Sequence, residues 1–290
     1  MESMKYLHRI ALSASIVGIC GGLGSFVGVL ISMHSIFPSA VAGKDARYTS
    51  FDQSCNVLKI NIHGTIVSTD SGGMSTAVAT NTYAETGFAI ASDITSAVRS
   101  AAMDENIKGL LIDVDSGGGG AEAGAEIAHA VQKFGKPSVA IIHEVGASSG
   151  YLIASAADTV VASEDSTVGS IGSTSSFLNY SAKDLKEGIT YVQLSSGPYK
   201  DIFSPDKPMT TAERALIMRD ITISRDNFVD LVAHNRHQST SSIGELADGS
   251  AMLGAAALAH GLIDIIGYSD DAEKVLESKI GEPVNICAGN

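Results

Sequence analysis

Charge is scarce in this chain, and what there is leans one way. Charged side chains make up 18% of the 290 residues, and 32 acids against 19 bases leave a formal net charge of −13. Neutralising a phosphate backbone takes many lysines and arginines, and no basic face is evident, so nucleic acid is excluded as a partner. The acidity favours solubility and gives no general attraction to anionic lipid. Cysteine is also sparse: Cys20, Cys55 and Cys287. No CxxC and no Cys/His ligand spacing occurs, so neither a metal nor another cofactor is expected. No Gly-Lys-Ser/Thr follows the one glycine tract, which removes a nucleotide P-loop. The GxSxG elbow of the α/β-hydrolases is missing too. None of His63, His129, His143, His234, His237 and His260 stands in a triad context. His143, five residues before Ser148, has the best claim as a base, though a plain loop histidine explains it as well. There is no internal repeat and no low-complexity tract.

What the chain has in quantity is apolar residues, 44% of the total, which suits a well-packed α/β domain and argues against disorder. Ile10–Met33 is 24 residues without a formal charge, long enough to cross a hydrocarbon core of ~30 Å. It exceeds the h-region of a secretory signal, although Ala40-Val41-Ala42 would serve as a cleavage site. Residues 10–33 are therefore expected to be a single transmembrane anchor that contacts lipid, after a short segment 1–9. Residues 34–54 form a linker, polar from Pro38, and residues 55–290 the folded domain. Lys5 and Arg9 favour a cytoplasmic N-terminus, with Lys44 and Arg47 diluting the bias. Gly18-x-x-x-Gly22 and Gly24-x-x-x-Gly28 would let such helices approach one another. Cys55 and Cys287 flank the domain; a bonded pair and two free thiols remain equally open.

Within the domain, strands and helices alternate. Strands are expected at Asn56–Ile62, Gly109–Val114, Ser138–Ile142 and Thr159–Ala162, with helices at Ala89–Met103, Ala121–Phe134 and from Ser148 to about Ala157. Ser68–Thr86 reads as a surface loop. This is the pattern of an α/β fold around a mainly parallel sheet. Further on, Tyr191–Leu194 is a candidate strand. Thr210-Thr211-Ala212-Glu213 fits a capping box opening a long helix to about Asn235, and Ala255–His260 a helix closed by Gly261.

Three features carry chemistry. Ser148 stands at a strand-to-helix turn, in Gly146-Ala147-Ser148-Ser149-Gly150-Tyr151. Upstream lies Asp115-Ser116-Gly117-Gly118-Gly119-Gly120. Downstream, Lys200 stands in Tyr199-Lys200-Asp201-Ile202. A serine hydroxyl needs a base. A lysine can be that base only when neutral, which requires desolvation to bring it well below its usual pKa of about 10.4. In an extended segment Asp201 would face away from Lys200. Taken alone, Lys200 fits a surface lysine better than a base. An acyl-transfer intermediate also needs two preorganised N–H donors. The N–H of Ser149 at the helix start is one; the other falls to the glycine tract, at Gly118 or, next, Gly119.

Together these residues resemble the signal peptide peptidase A family of membrane-anchored serine peptidases, which has the Clp protease/crotonase-like fold. The resemblance runs from about Val57 to Tyr268. It rests on Asp115–Gly119, on Ser148-Ser149-Gly150-Tyr151-Leu152-Ile153-Ala154-Ser155, on Val168-Gly169-Ser170-Ile171-Gly172, on Tyr199–Pro205, on Ala247-Asp248-Gly249 and on Gly261-Leu262-Ile263-Asp264. It implies Ser148 as nucleophile, Lys200 as general base and Ser170 as the hydroxyl that orients the amine without raising its pKa. It further implies cleavage of short apolar peptides such as signal-peptide remnants, homo-oligomeric assembly, and a catalytic domain on the extracytoplasmic side of the cell (inner) membrane. Two positions depart from the pattern: Gly117 stands for a proline, and Ser149 for the glycine after the nucleophile, which makes Ser149 a rival on paper. Gly150-Tyr151 sets the register in favour of Ser148. A non-catalytic membrane scaffold on the same fold is the alternative, and an acyl-CoA enzyme a weaker third.

Overall fold

The computed structural model describes residues 55–69 and 87–287; the expected anchor, the linker and most of the Ser68–Thr86 loop lie outside these. In chain order come β1 (Val57–Val67), β2 (Phe88–Ile90), α1 (Ala91–Met103), β3 (Gly109–Gly119), α2 (Ala121–Gln132), β4 (Ser138–Ala147), α3 (Ser149–Ser155), β5 (Thr159–Ala162) and β6 (Thr167–Gly169). There follow α4 (Ser181–Lys186), α5 (Thr211–Asn235), α6 (Thr240–Glu245), β7 (Ala251–Leu253), α7 (Gly254–Ala259), β8 (Ile265–Ile266), α8 (Ser269–Ile280) and β9 (Ile286–Cys287). The main path of the sheet is β2-β1-β3-β4-β5-β8, with β9 beside β1 and β6 beside β4. Among the described residues every pairing is parallel except β6 with β7. The chain is thus an α/β protein with a mainly parallel sheet, as its alternating pattern predicts.

Side chains alternate across a strand, so the buried strands divide their residues between two faces. Leu58, Ile60 and Ile62 of β1, Leu110, Ile112 and Val114 of β3 and Ala140 and Ile142 of β4 join the main core beneath α1, α2 and α3. Val57, Leu111, Val139 and Ile141 point the other way and pack on Ala272 and Leu276 of α8. Further along that second face stand polar groups instead. Asp113 Oδ1 lies 2.8 Å from His63 Nε2 and 2.9 Å from His143 Nε2, and Asp113 Oδ2 lies 2.5 Å from Lys59 Nζ. Burial alone would push the Asp113 carboxyl up. Hydrogen bonds from Lys59 and His63 and the nearby His143 together hold it below the ordinary carboxylate range.

Three expectations change. β3 does not stop at Val114: it runs through the glycine tract, with Thr65 opposite Gly118 and Ile66 opposite Gly119. Only glycine permits this, since a Cβ on Gly119 would sit 2.2 Å from the Ile66 carbonyl oxygen. Tyr191–Leu194 is not a strand; it is exposed and pairs with no other segment among the described residues. The third concerns Cys55 and Cys287, left open above: they form a disulfide joining the start of β1 to β9, with Cα atoms 5.0 Å apart. The long helix does open at the capping box: Thr210 accepts from the Glu213 N–H, and Glu213 accepts from the Thr210 N–H. Gly261 closes α7 with φ 69°.

Candidate active site

Ser148 is the hinge between β4 and α3, and its backbone is in an unusual state, with φ 52° and ψ −127°. Such a conformation costs a non-glycine residue on the order of 1–3 kcal/mol and persists only where neighbours enforce it. Here the Ser148 N–H donates to the Gly169 carbonyl (2.8 Å), and its own carbonyl accepts from the Leu152 N–H (3.0 Å). All seven residues of α3 are buried, and the Tyr151 hydroxyl, also buried, donates to the Leu262 carbonyl at 2.8 Å. The helix beneath Ser148 is therefore fixed. Its first-turn N–H groups, Ser149 included, have no acceptor within the helix and face whatever sits at its N-terminal end.

The glycine end of β3 presses on this hinge. A Cβ on Gly118, whose φ is 105°, would lie 2.7 Å from the Ser148 Cβ and 3.1 Å from its Oγ. The Gly118 N–H is already engaged: it donates to Ser116 Oγ at 3.0 Å, and that hydroxyl donates to the Gly64 carbonyl at 2.6 Å. The Gly120 N–H donates to the Ile66 carbonyl at 2.9 Å.

Ser149 differs sharply from Ser148. Ser148 is half-buried, while Ser149 is 3% exposed. The Ser149 side chain seats against α2, where a Cβ on Gly124 would fall 2.6 Å from its Cβ. Its hydroxyl donates to the carbonyls of Gly120 (3.3 Å) and Gly119 (3.5 Å). Gly124 and Ser116 carry no sequence signal as site residues. A lone glycine inside a helical pattern is a general hint of close packing, and that is its use here.

Ser170 adjoins Ser148 through the Gly169 carbonyl. It too has positive φ, 52°; its N–H donates to the Ser250 carbonyl and its Oγ to the Gly249 carbonyl, both at 3.0 Å. Lys200 lies in an exposed turn, its N–H donating to the Gly197 carbonyl at 3.3 Å. Among the described residues no hydrogen bond or ion pair joins its amine to Ser148 or Ser170. The Asp201 carboxylate is occupied elsewhere, by the Tyr191 hydroxyl (2.5 Å) and Gln193 Nε2 (2.7 Å). The structure thus brings Ser148, Ser149, Ser170, Gly118 and Gly119 together, and Lys200 is exposed. His143 faces Asp113, as described. A cleft of about 830 Å³ opens beside this cluster, with Gly119, Ser149 and Leu152 on one wall and Ile223, Phe228 and Leu231 of α5 on the other.

The profile of Peptidase family S49 matches residues 130–281, more than half of the chain and the part that holds Ser148, Ser170 and Lys200. The chain belongs to peptidase family S49. Its relatives include a protein of Enterococcus faecium named as a signal peptide peptidase SppA, 40% identical over 58% of this chain and 50% of that protein. A protein of Methanocaldococcus jannaschii named as protease MJ0651 is 36% identical over 60% of this chain and 57% of its own length. The chloroplastic serine protease SPPA of Arabidopsis thaliana is 28% identical over 68% of this chain and 29% of that protein. This S49 chain spans between 29% and 60% of the length of these curated relatives. Among solved structures, the ClpP1 N165D mutant from Listeria monocytogenes aligns over 74% of this chain and 93% of that one, at 15% identity and a TM-score of 0.47.

Proposed function

We propose that this S49 chain is a membrane-anchored serine endopeptidase that cuts short apolar peptides, such as signal-peptide remnants, with Ser148 as nucleophile and Lys200 as base. The observation that carries the reading is the strained, half-buried Ser148 at a fixed helix start, with the glycine end of β3 packed against its side chain. A neutral Lys200 amine takes the Ser148 proton as Oγ attacks the scissile carbonyl carbon. The N–H groups of Ser149 and Gly119 hold the resulting oxyanion; Gly118 is the weaker donor because its N–H is spent on Ser116. The lysine then protonates the departing amine, and water hydrolyses the acyl-enzyme ester. Ser170 steadies the amine.

An exposed ammonium cannot act as a base at neutral pH, so the amine has to be covered. The segment around it is rich in apolar surface: Leu178, Leu185, Ile189, Val192, Leu194, Tyr199 and Phe203 are all exposed. A patch of that kind marks an interaction site. Homo-oligomeric assembly would bury it and desolvate Lys200 in the same step. The Cys55–Cys287 bond suits an oxidising compartment, which agrees with the domain on the extracytoplasmic side of the cell (inner) membrane; residues 10–33 as the span and a Clp protease/crotonase-like fold complete the proposal. The decisive experiment is labelling of the assembled protein with a serine-directed phosphonate between about pH 6 and 9, a range that brackets a depressed lysine pKa. Modification at Ser148, lost in Lys200→Ala, is the expected result. The exposure of Lys200 favours one rival, a non-catalytic membrane scaffold, and an unlabelled Ser148 across that range would establish it.

A further inference from the structure

The cleft beside Ser148 has a character of its own, and its use rests on the peptidase reading above. Its wall includes Gly119 and Ser149, the two residues whose N–H groups that reading assigns to the oxyanion, so whatever fills it lies next to the scissile bond. Its volume of about 830 Å³ is that of a site for a whole small ligand or a peptide segment, more than one side chain fills. The floor is apolar: Leu152 and Phe228 are buried in the main core, and Leu231 packs against it. The rim is acidic. Glu122, in the first turn of α2, and Asp220 and Asp230 of α5 line the cleft and are exposed. Among the described residues no lysine, arginine or histidine lines it. Asp220 is paired with its neighbour Arg219 at 2.8 Å. The carboxylates of Glu122 and Asp230 enter no hydrogen bond or ion pair among the described residues.

Three acids on a chain of net charge −13 mark nothing by themselves. Their place gives them meaning, around an apolar floor that adjoins the candidate nucleophile. Lysine and arginine have the matching build, an apolar stem that lies along a hydrophobic surface and a charged head that stays in water. A wholly apolar segment would use the floor and leave the rim idle, and an acidic one would be repelled by it. Asp220 and Asp230 stand about 15 Å apart along α5 at a rise of ~1.5 Å per residue. Four or five extended residues cover that distance at roughly 3.3 Å each. We infer that the cleft selects an apolar peptide segment carrying a lysine or arginine within about five residues of the scissile bond. Glu122 and Asp230 are the specificity-determining carboxylates; Asp220 contributes less because Arg219 shares it. The substrate class narrows from apolar peptides to apolar peptides with a cationic side chain.

The test is a set of internally quenched apolar peptides, cleaved by the full-length assembled protein, in which each of the five positions before the scissile bond is in turn Lys, Gln or Glu. Exposed charge pairs contribute little, so at one position at least the Lys peptide should exceed its Gln counterpart in kcat/KM by about fivefold, with the Glu peptide slower than both. Raising the salt concentration should shrink that ratio, because it screens the rim. Glu122→Gln/Asp230→Asn should bring the Lys-to-Gln ratio to within about twofold of one. Glu105→Gln, which removes an exposed acid outside the cleft, should leave the ratio as it is and so separates the rim from the charge of the whole chain. No position at which Lys exceeds Gln, a ratio that survives the double variant, or one that falls equally in Glu105→Gln would each overturn the proposal. Wild-type protein that cleaves the Lys and Gln peptides equally well removes the cationic preference alone, whereas a wild type that neither cleaves nor labels removes the peptidase reading with it.

Discussion

The two halves of the proposed dyad live in physically different surroundings. Ser148 hangs from the parallel sheet, over a helix whose residues are all buried, with a tyrosine hydroxyl and two backbone bonds fixing its turn. Lys200 belongs to a segment, roughly 173–208, that closes mainly on itself. Phe177 meets Phe203 edge-on at 6.0 Å. The Tyr180 N–H donates to the Pro205 carbonyl and Asn179 Nδ2 to the Lys207 carbonyl, both at 2.7 Å. Not one residue of α4 is buried, and Leu194 is 93% exposed. Ser148 is therefore preorganised by the fold of one chain, while Lys200 stands on a surface that a single chain leaves wet. In a marginally stable molecule, strain such as that of Ser148 can be kept only where dense packing enforces it. The amine needs the opposite, a switch in hydration that a second surface can provide.

The largest effect should come from removing either half. Ser148→Ala and Lys200→Ala are each expected to lower kcat by at least ~10⁴-fold, as loss of one member of a catalytic unit does. The Lys200→Ala protein should melt within a degree or two of the wild type, because nothing in the core touches that side chain. Full activity in Lys200→Ala, read by peptide hydrolysis, would break the comparison outright. Next in size, Leu194→Glu or Val192→Glu should dissociate the assembly and cut activity at least tenfold without lowering the thermal midpoint of the domain. Sedimentation velocity alongside turnover checks this, and an oligomer that survives the charge would detach the segment from assembly.

A smaller effect lies wholly in the sheet half. Cys55 and Cys287 close a loop spanning 232 residues, and Cys55→Ser/Cys287→Ser should cost about 5 kcal/mol in denaturant unfolding on the chain-entropy account. An unaltered midpoint would show that β9 is held by its pairing alone. The smallest effect concerns the root of the segment, where Lys207 is paired with Glu213 inside the capping box of α5. The Lys207 ammonium and the Thr210 N–H hold the Glu213 carboxyl at about 2. A depressed carboxyl contributes its full stability above its ordinary value of 4.5 and loses it as pH falls through about 2. The acid-induced loss of structure near α5 should therefore extend over that window, and Glu213→Gln should remove this pH dependence, as followed by the thermal midpoint at stepwise lower pH.

Some of this was legible in one dimension because it depends on local periodicity and local chemistry. The alternation of apolar runs places the strands and helices of the parallel core. Thr210 and Glu213 announce their helix start, Gly261 a helix end, and Gly146-Ala147-Ser148 the turn. Other features depend on partners distant in the chain. The glycine tract becomes strand because β1 is there to pair with it, and Cys55 meets Cys287 because β9 returns to β1. Ser149 is buried against Gly124, a fact of helix packing that no window of sequence contains. Tyr191–Leu194 alternates like a strand, but among the described residues no neighbour offers it a ladder.

The amino-acid order by itself determined the fold class and the place of the strand-to-helix turn at Ser148, since both follow from side-chain periodicity and backbone preference within a few residues. Tertiary structure alone decided which of the two serines is buried, which glycine N–H is already spent, and that the lysine stays in water. Each of those is a matter of burial and donor pairing, and burial is set by what the rest of the chain brings alongside.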